Sequence, residues 1–396
     1  MLRTSCSSCT SSVACSASPH HHRKRNPTGY DLAKRFRCKF DYVSPVWYQL
    51  RSSAGVPTLT GRHDVDVQWM QAGGSASKIV PRVILEVAPA ELAELLTSPV
   101  DLAKALAKEA DMQHFDGWVL EAWSYLAALG VTGHAQLRRQ AVALVEAVAA
   151  ALRQEGGKEL VLAVSPPVPA PGRPSQFSLE DAKDLLPLVS GLSLMTYDYS
   201  SPQRPGPKAP LEWVRQNAEA LAGIARSLPG KPVSKVWLGL NFYGNEYRFV
   251  GKQLAGHDTV VGRTLVELLQ RQQDGSAAAA SSAAGARRLQ NKEEGSSTAG
   301  QLEARAERSI GSSGGSGSGG AGVSVVWVDR SQEALFKWRA PLETAARGAK
   351  QRRQQHLLYY PTVQSLDKRL DVARELGAGV SVWEIGQGLD SFYDLL

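Results

Sequence analysis

The chain has 396 residues, 43% of them hydrophobic and 21% charged, enough to bury one large core or two ordinary ones. No apolar run reaches the roughly 18 residues that a membrane-spanning helix needs, so no membrane span is expected. The net charge of +7 lies wholly in residues 1–40, which hold eight Lys/Arg against one acid, while residues 41–396 hold 37 of each sign. A basic leader on a neutral body lacks the clustered basic groove that phosphate binding needs, and no nucleic-acid partner is expected.

Residues 1–29 are rich in Ser, Cys and basic side chains and nearly free of acids. They contain no continuous apolar stretch of the secretory type and read as a disordered leader, closer to an organelle transit segment or a misread first exon than to a secretory signal. Cys6, Cys9, Cys15 and Cys38 are the four cysteines of the chain. Cys6-x-x-Cys9 has redox or metal spacing, but no second such pair follows and His20-His21-His22 lacks ligand spacing. No metal or cofactor is expected.

From Tyr30 the pattern becomes regular. A short amphipathic stretch (30–39) precedes a strand over 40–47, a linker, and a strand over 78–86. A helix over 89–109 follows, then the run Phe115-Asp116-Gly117-Trp118-Val119-Leu120-Glu121-Ala122-Trp123, apolar apart from its Asp-Gly entry and one further carboxylate, which reads as a buried parallel strand over 116–123. A helix over 132–154 feeds a strand over 159–165. Another over 178–187 feeds Gly191-Leu192-Ser193-Leu194-Met195-Thr196-Tyr197-Asp198-Tyr199. A third, 211–228, feeds Val236-Trp237-Leu238-Gly239-Leu240-Asn241-Phe242-Tyr243-Gly244. After an interruption, a helix over 364–376 ends at Gly377 and leads to a strand over 379–386.

Seven strands alternating with helices specify parallel βαβ units, and the collection of polar and aromatic residues at their carboxyl ends matches a (β/α)8 TIM barrel. A doubly wound open sheet would carry a Gly-rich phosphate turn after its first strand, and none is present. One barrel strand is missing from the count. It should precede Tyr30, where the sequence has no strand character. The interruption at 273–322 is rich in Ala, Gly, Ser, Glu and Arg with almost no aromatic residues, so it predicts a disordered insertion within a single barrel domain over 30–396.

Side chains alternate along a strand, so Val119, Glu121 and Trp123 should share one face of the 116–123 strand. Four motifs then converge. Phe115-Asp116-Gly117-x-x-x-Glu121, Met195-Thr196-Tyr197-Asp198, Leu238-Gly239-Leu240-Asn241-Phe242-Tyr243-Gly244 and Trp383, in this order, resemble the fourth, sixth, seventh and eighth strands of the family 18 chitinases. The resemblance covers about 30–250 and 323–396, and the tail from Val380 to Asp390, with Ser44-Pro45-Val46-Trp47 and His63-Asp64-Val65-Asp66, is closer still to one branch of that family.

In that family the active strand has the form D-G-x-D-x-D-x-E. The resemblance implies that its last Glu is the general acid and that the Asp two before it orients the substrate's acetamido group, whose carbonyl oxygen is the nucleophile, an exception to the two-carboxylate scheme. Laid on this chain, the interior Asp residues become Val119 and Glu121 and the acid becomes Trp123. An indole cannot donate a proton to a glycosidic oxygen, so the register implies a catalytically disarmed, lectin-like protein. Two alternatives stand beside it: a weak glycosidase using Glu121, and a protein-interaction scaffold.

By the same resemblance Trp383 is the ring beneath a bound sugar, or else a core plug. Tyr197 donates to an acetamide oxygen or is a core tyrosine, and Asp198 accepts from sugar hydroxyls or caps a helix. Trp123 and Trp47 add stacking surface, or Trp47 only packs the bottom or wall, and Tyr243 and Asn241 hydrogen-bond from the strand end. Glu86, at the end of the 78–86 strand, belongs to the sugar site or equally forms a salt bridge with the nearby Arg82. The resemblance further implies an oligosaccharide of acetamido sugars as ligand, a lysosomal or secreted location, and a protein partner in the endolysosomal or secretory pathway.

Overall fold

A computed structural model describes residues 27–53, 56–73, 77–271, 322–341 and 353–396. The expected disordered leader (1–29) lies outside the described residues except for its last three, and the expected insertion (273–322) except for Gly322. In chain order the strands are β1 (Tyr42–Val43), β2 (Val46–Ser53), β3 (Val56–Thr60), β4 (Lys78–Ile79), β5 (Arg82–Leu85), β6 (Gly117–Glu121), β7 (Glu159–Val164), β8 (Gly191–Leu194), β9 (Val236–Asn241), β10 (Gly244–Val250), β11 (Gln253–Val260), β12 (Ser324–Val328), β13 (Glu333–Pro341), β14 (Arg353–Tyr360) and β15 (Gly379–Trp383).

The main sheet has the order β15-β9-β8-β7-β6-β5-β2-β3 and is parallel except for the β2-β3 hairpin. β1 and β4 are the leading ends of β2 and β5. Val80 N donates to Val43 O and Arg82 N to Pro45 O (2.9 and 2.8 Å), so pairing continues across Pro45 and Pro81, which have no N–H to give. All seven parallel strands read from the sequence are present, with helices between them, as a (β/α)8-type barrel requires. The position expected for the remaining strand, before Tyr30, is described only from Pro27, where the chain is helical. That helix and the turn after it are tied to the carboxyl terminus: Lys39 Nζ donates to Tyr393 O (2.8 Å) and Phe36 stacks on Tyr393 (4.6 Å between centroids).

Boundaries moved for identifiable reasons. The 89–109 helix is two helices, Pro89–Thr97 and Pro99–Met112, because Pro99 cannot continue the first one's hydrogen bonding. The stretch between 48 and 77, read as a linker, holds most of β2, the β2-β3 hairpin and helix Val67–Gly73. The larger correction concerns the interruption. Between β9 and β15 stands a second, antiparallel sheet of order β11-β10-β14-β13-β12, built from segments on both sides of the low-complexity run. The sequence reading missed it because four of its strands mix charged and apolar residues and β10 pairs with β14 across a long sequence gap.

The Asp116-Gly117 entry to β6 does structural work that the two residue types explain. The Asp116 carboxylate accepts from Ile79 N (2.7 Å), fastening the strand's start to β4. Gly117 has φ +152°, and a Cβ there would meet the Glu159 carbonyl oxygen at 2.0 Å. Only glycine takes that backbone and that approach without strain. Gly117→Ala is expected to destabilise the fold by about 3 kcal/mol or more, measured by urea unfolding; a loss under about 1 kcal/mol would show that β6 and β7 separate easily here.

Candidate functional site

At the carboxyl end of the barrel, β6 delivers one carboxylate, Glu121. It forms an ion pair with Arg82 of β5, and the two side chains are only 24% and 15% exposed. The Arg82 guanidinium lies 5.3 Å from the centroid of the Trp383 ring, so residues of β5, β6 and β15 meet across the mouth. Lower in the barrel, Ser193 of β8 and Ser381 of β15 are hydrogen-bonded (2.9 Å). The ion pair expected between Arg82 and Glu86 does not form: Glu86 pairs with Arg51 (3.0 Å). Arg82 and Glu86 are an even number of positions apart, but β5 ends at Leu85, and only Arg82 points to the interior.

β8 ends at Leu194, so Tyr197 and Asp198 stand on the loop beyond it. Burial raises the Tyr197 hydroxyl far above the usual phenol range, reinforced by the negative charges of Asp198 and Glu121. Asp198 sits at φ +57°, a left-handed conformation that Asp tolerates better than most residues. Its carboxylate accepts from Tyr243 Oη (3.0 Å) and from Lys208 Nζ. Lys208 is 1% exposed, donates to Asn245 Oδ1 (3.0 Å) and lies 3.7 Å from the centroid of the Tyr243 ring. Burial lowers its pKa to about 8, an effect that Asp198 opposes. Asn241 is buried and donates to Tyr243 O (2.7 Å), so it shapes the strand end.

Glu121, Tyr197, Asp198, Tyr243 and Trp383 are thus brought together, with Asn241 beneath. Trp123 and Trp47 are not part of this group. The strand alternation that put Trp123 beside Glu121 stops at Glu121, because the chain turns at Ala122 (φ −132°, ψ −34°) and Trp123 opens helix Trp123–Ala128. Its ring is 1% exposed, packs edge-on against Phe177 (6.4 Å) and leaves its buried Nε1 without a hydrogen-bond partner among the described residues. Trp47, also 1% exposed, donates to the Tyr30 hydroxyl and packs against Phe115 and Trp69. Neither ring offers a sugar a face in this structure.

A cavity of about 280 Å³ opens beside the mouth, near the lower end of ordinary small-molecule sites, roughly 300–1,000 Å³. Tyr197 and Asp198 form the wall it shares with the barrel mouth, and Ser124, Ser165, Arg173 and Gln176 form a polar wall opposite. Trp213 closes one side, its Nε1 held by Val168 O (2.8 Å). The sequence reading missed Arg82, Lys208 and this polar wall. An arginine in an apolar strand was a usable signal, since a charge there needs a partner; nothing local marks Ser124, Arg173 or Lys208.

The profile of the glycosyl hydrolases family 18 matches residues 91–388, about three quarters of the chain. The chain belongs to glycosyl hydrolase family 18. Solved structures with the same fold include a chitinase from Chromobacterium violaceum ATCC 12472 (16% identity, TM-score 0.64, 94% of this chain and 95% of that one). The spore cortex-lytic enzyme SleL of Bacillus megaterium QM B1551 matches at 14% identity and TM-score 0.63, over 94% of this chain and 70% of that one. A plant class V chitinase mutant from Cycas revoluta in complex with (GlcNAc)3 matches at 12% identity and TM-score 0.58, over 93% of this chain and 94% of that one. In this family 18 barrel the strand that opens with Asp116-Gly117 carries Val119 and an ion-paired Glu121, then a buried indole.

The buried ammonium beside Asp198 has a thermodynamic signature. Below about pH 8 Lys208 is protonated in folded and unfolded chains alike, so the penalty for burying its charge is fully in force. Between about 8 and the model-compound value of 10.5, only the unfolded chain keeps the proton, and the stability attributable to this side chain rises with pH. The unfolding free energy of wild type relative to Lys208→Met should therefore increase from about pH 7 to about pH 9.5 in urea titrations. A difference that stays constant or shrinks would contradict the placement of this ammonium.

Proposed function

We propose that this family 18 barrel binds oligosaccharides of acetamido sugars, of the chito-oligosaccharide type, without cleaving them. The observation that carries the reading is the state of the one carboxylate at the end of β6. Glu121 is the anionic half of an ion pair with Arg82, and two residues further on, where the family's motif has its acid, the chain has the buried Trp123. A committed carboxylate and an indole leave no proton donor on this strand for the leaving oxygen. Binding, in contrast, is supported by a cavity of suitable size with hydroxyl, amide and guanidinium groups on one wall and Tyr197 and Asp198 on the other. A neighbour of the same fold was solved with (GlcNAc)3, which supports the ligand class.

The tail Val380-Ser381-Val382-Trp383-Glu384-Ile385-Gly386-Gln387-Gly388-Leu389-Asp390 supports membership of the branch that contains chitinase domain-containing protein 1, also called the stabilin-interacting chitinase-like protein. That resemblance in turn supports a lysosomal or secreted location and a protein partner in the same pathway.

Titration with N-acetylchitotetraose should change the intrinsic Trp fluorescence saturably, since Trp213 lines the cavity and Trp383 stands beside Tyr197's neighbours Arg82 and Glu121. An aryl chitobioside should show no turnover above background. No fluorescence response at millimolar sugar removes the binding reading. Turnover that disappears in Glu121→Gln would replace it with a weak glycosidase.

A further inference from the structure

We propose that the cavity takes an acetamido-sugar oligosaccharide carrying an anionic group, with the Arg173 guanidinium as its reader; this rests on the oligosaccharide-binding reading above.

The charge arrangement of the cavity is the first argument. Among the described residues Asp198 is its only lining carboxylate, and that carboxylate already accepts from Lys208 and Tyr243. Glu121, the nearest carboxylate of β6, is committed to Arg82. Arg173 lines the same cavity with an exposed side chain and, among the described residues, has no carboxylate within ion-pair distance. Its charge is also felt by the buried Lys208, whose proton affinity it lowers. The cavity therefore presents one uncompensated cation to whatever enters it. A guanidinium fork matches the paired oxygens of a carboxylate or a sulfate better than it matches a neutral hydroxyl.

Hydrogen-bond direction gives the second argument. Ser165 Oγ donates to Gln176 Oε1 (2.9 Å), which uses its single proton. The Ser124–Ser165 contact (2.9 Å) must then run from Ser124 to Ser165, and both hydroxyl protons are consumed within the wall. The donors that the wall has left are the amide N–H groups of Gln176 and those of Arg173, beside the free lone pairs of Ser124 Oγ. They lie three residues apart on one loop, and together they ask for an acceptor-rich group.

The loop is restrained by its composition and at both ends. Ser165–Phe177 contains five prolines, Pro166, Pro167, Pro169, Pro171 and Pro174, and proline removes backbone freedom before any ligand arrives. Val168 is clamped by helix Leu211–Ser227: its N–H donates to Asn217 Oδ1 (2.7 Å), and its carbonyl accepts from Asn217 Nδ2 (3.1 Å) and Trp213 Nε1. Phe177, at the far end, is 1% exposed.

The test compares three tetrasaccharides by calorimetry at low salt: N-acetylchitotetraose, its 6-O-sulfated form, and an alternating N-acetylglucosamine–glucuronic acid tetramer. At least one acidic tetramer should bind about tenfold more tightly than the neutral one, with the advantage shrinking as salt is added. Which acidic tetramer gains identifies sulfate or carboxylate as the group recognised. In Arg173→Gln the acidic-to-neutral affinity ratio should fall to about one. Equal affinities in the wild type, or a ratio that Arg173→Gln leaves intact, overturn the inference while neutral binding keeps the oligosaccharide reading. If none of the three binds, the oligosaccharide reading falls, and this inference with it.

Discussion

The Arg82–Glu121 ion pair is the charged centre around which the barrel mouth is arranged. The two residues come from neighbouring strands, in a register that sets Arg82 beside Val119 and Glu121 beside Ile84, so the pair is diagonal across the β5-β6 ladder. Either charge alone in a mostly apolar barrel interior would be expensive to leave uncompensated. Each residue therefore makes the other tolerable, and together they form a compensated pair at the carboxyl end of β6. Because Arg82 also lies against Trp383 on the opposite side of the mouth, the pair holds strands that are far apart in sequence in one arrangement.

A second buried charge organises the rim. Lys208 reaches Asp198 on the barrel loop and Asn245 on β10 of the antiparallel sheet, so one ammonium joins the two sheets at the site. The backbone on either side of its Cα is held as well. Lys208 N and Ala209 N both donate to Glu333 Oε1 (3.2 and 3.0 Å), while Ala209 O accepts from the buried Arg369. Burial raises the Glu333 carboxyl and lowers the Arg369 guanidinium, and the attraction between them works against both shifts. The loop that carries Tyr197 and Asp198 is thus fixed from the barrel, from the second sheet and from helix Val363–Leu376. A wall built this way is ordered by the protein's own hydrogen bonds.

The antiparallel sheet is the part of the architecture that residue patterns hid best. Its strands β10 and β11 precede the low-complexity run, and β12, β13 and β14 follow it, with β10 pairing directly to β14. Strand pairing across so long a gap leaves no local periodicity to read, and the pairs Glu246–His356 and Arg248–Asp258 put polar residues where alternation would suggest a solvent face. The barrel strands, in contrast, are continuous apolar runs because both their faces are covered, and that pattern survives in a single sequence.

By itself the sequence determined the seven parallel strands, the helices between them and the Asp-Gly entry to β6. These follow from local periodicity and from the backbone demands of single residue types. It also determined that Tyr197, Asp198, Tyr243 and Trp383 arrive at one end of a barrel, since all follow the same ends of parallel strands. Only the tertiary structure decided that Glu121 is held by Arg82, that Trp123 turns into a helix and is buried, and that Arg173 faces a cavity without a carboxylate partner among the described residues. The reason is physical. Strand membership is written in neighbours along the chain, whereas the charge state and accessibility of a side chain depend on groups that only folding brings near it.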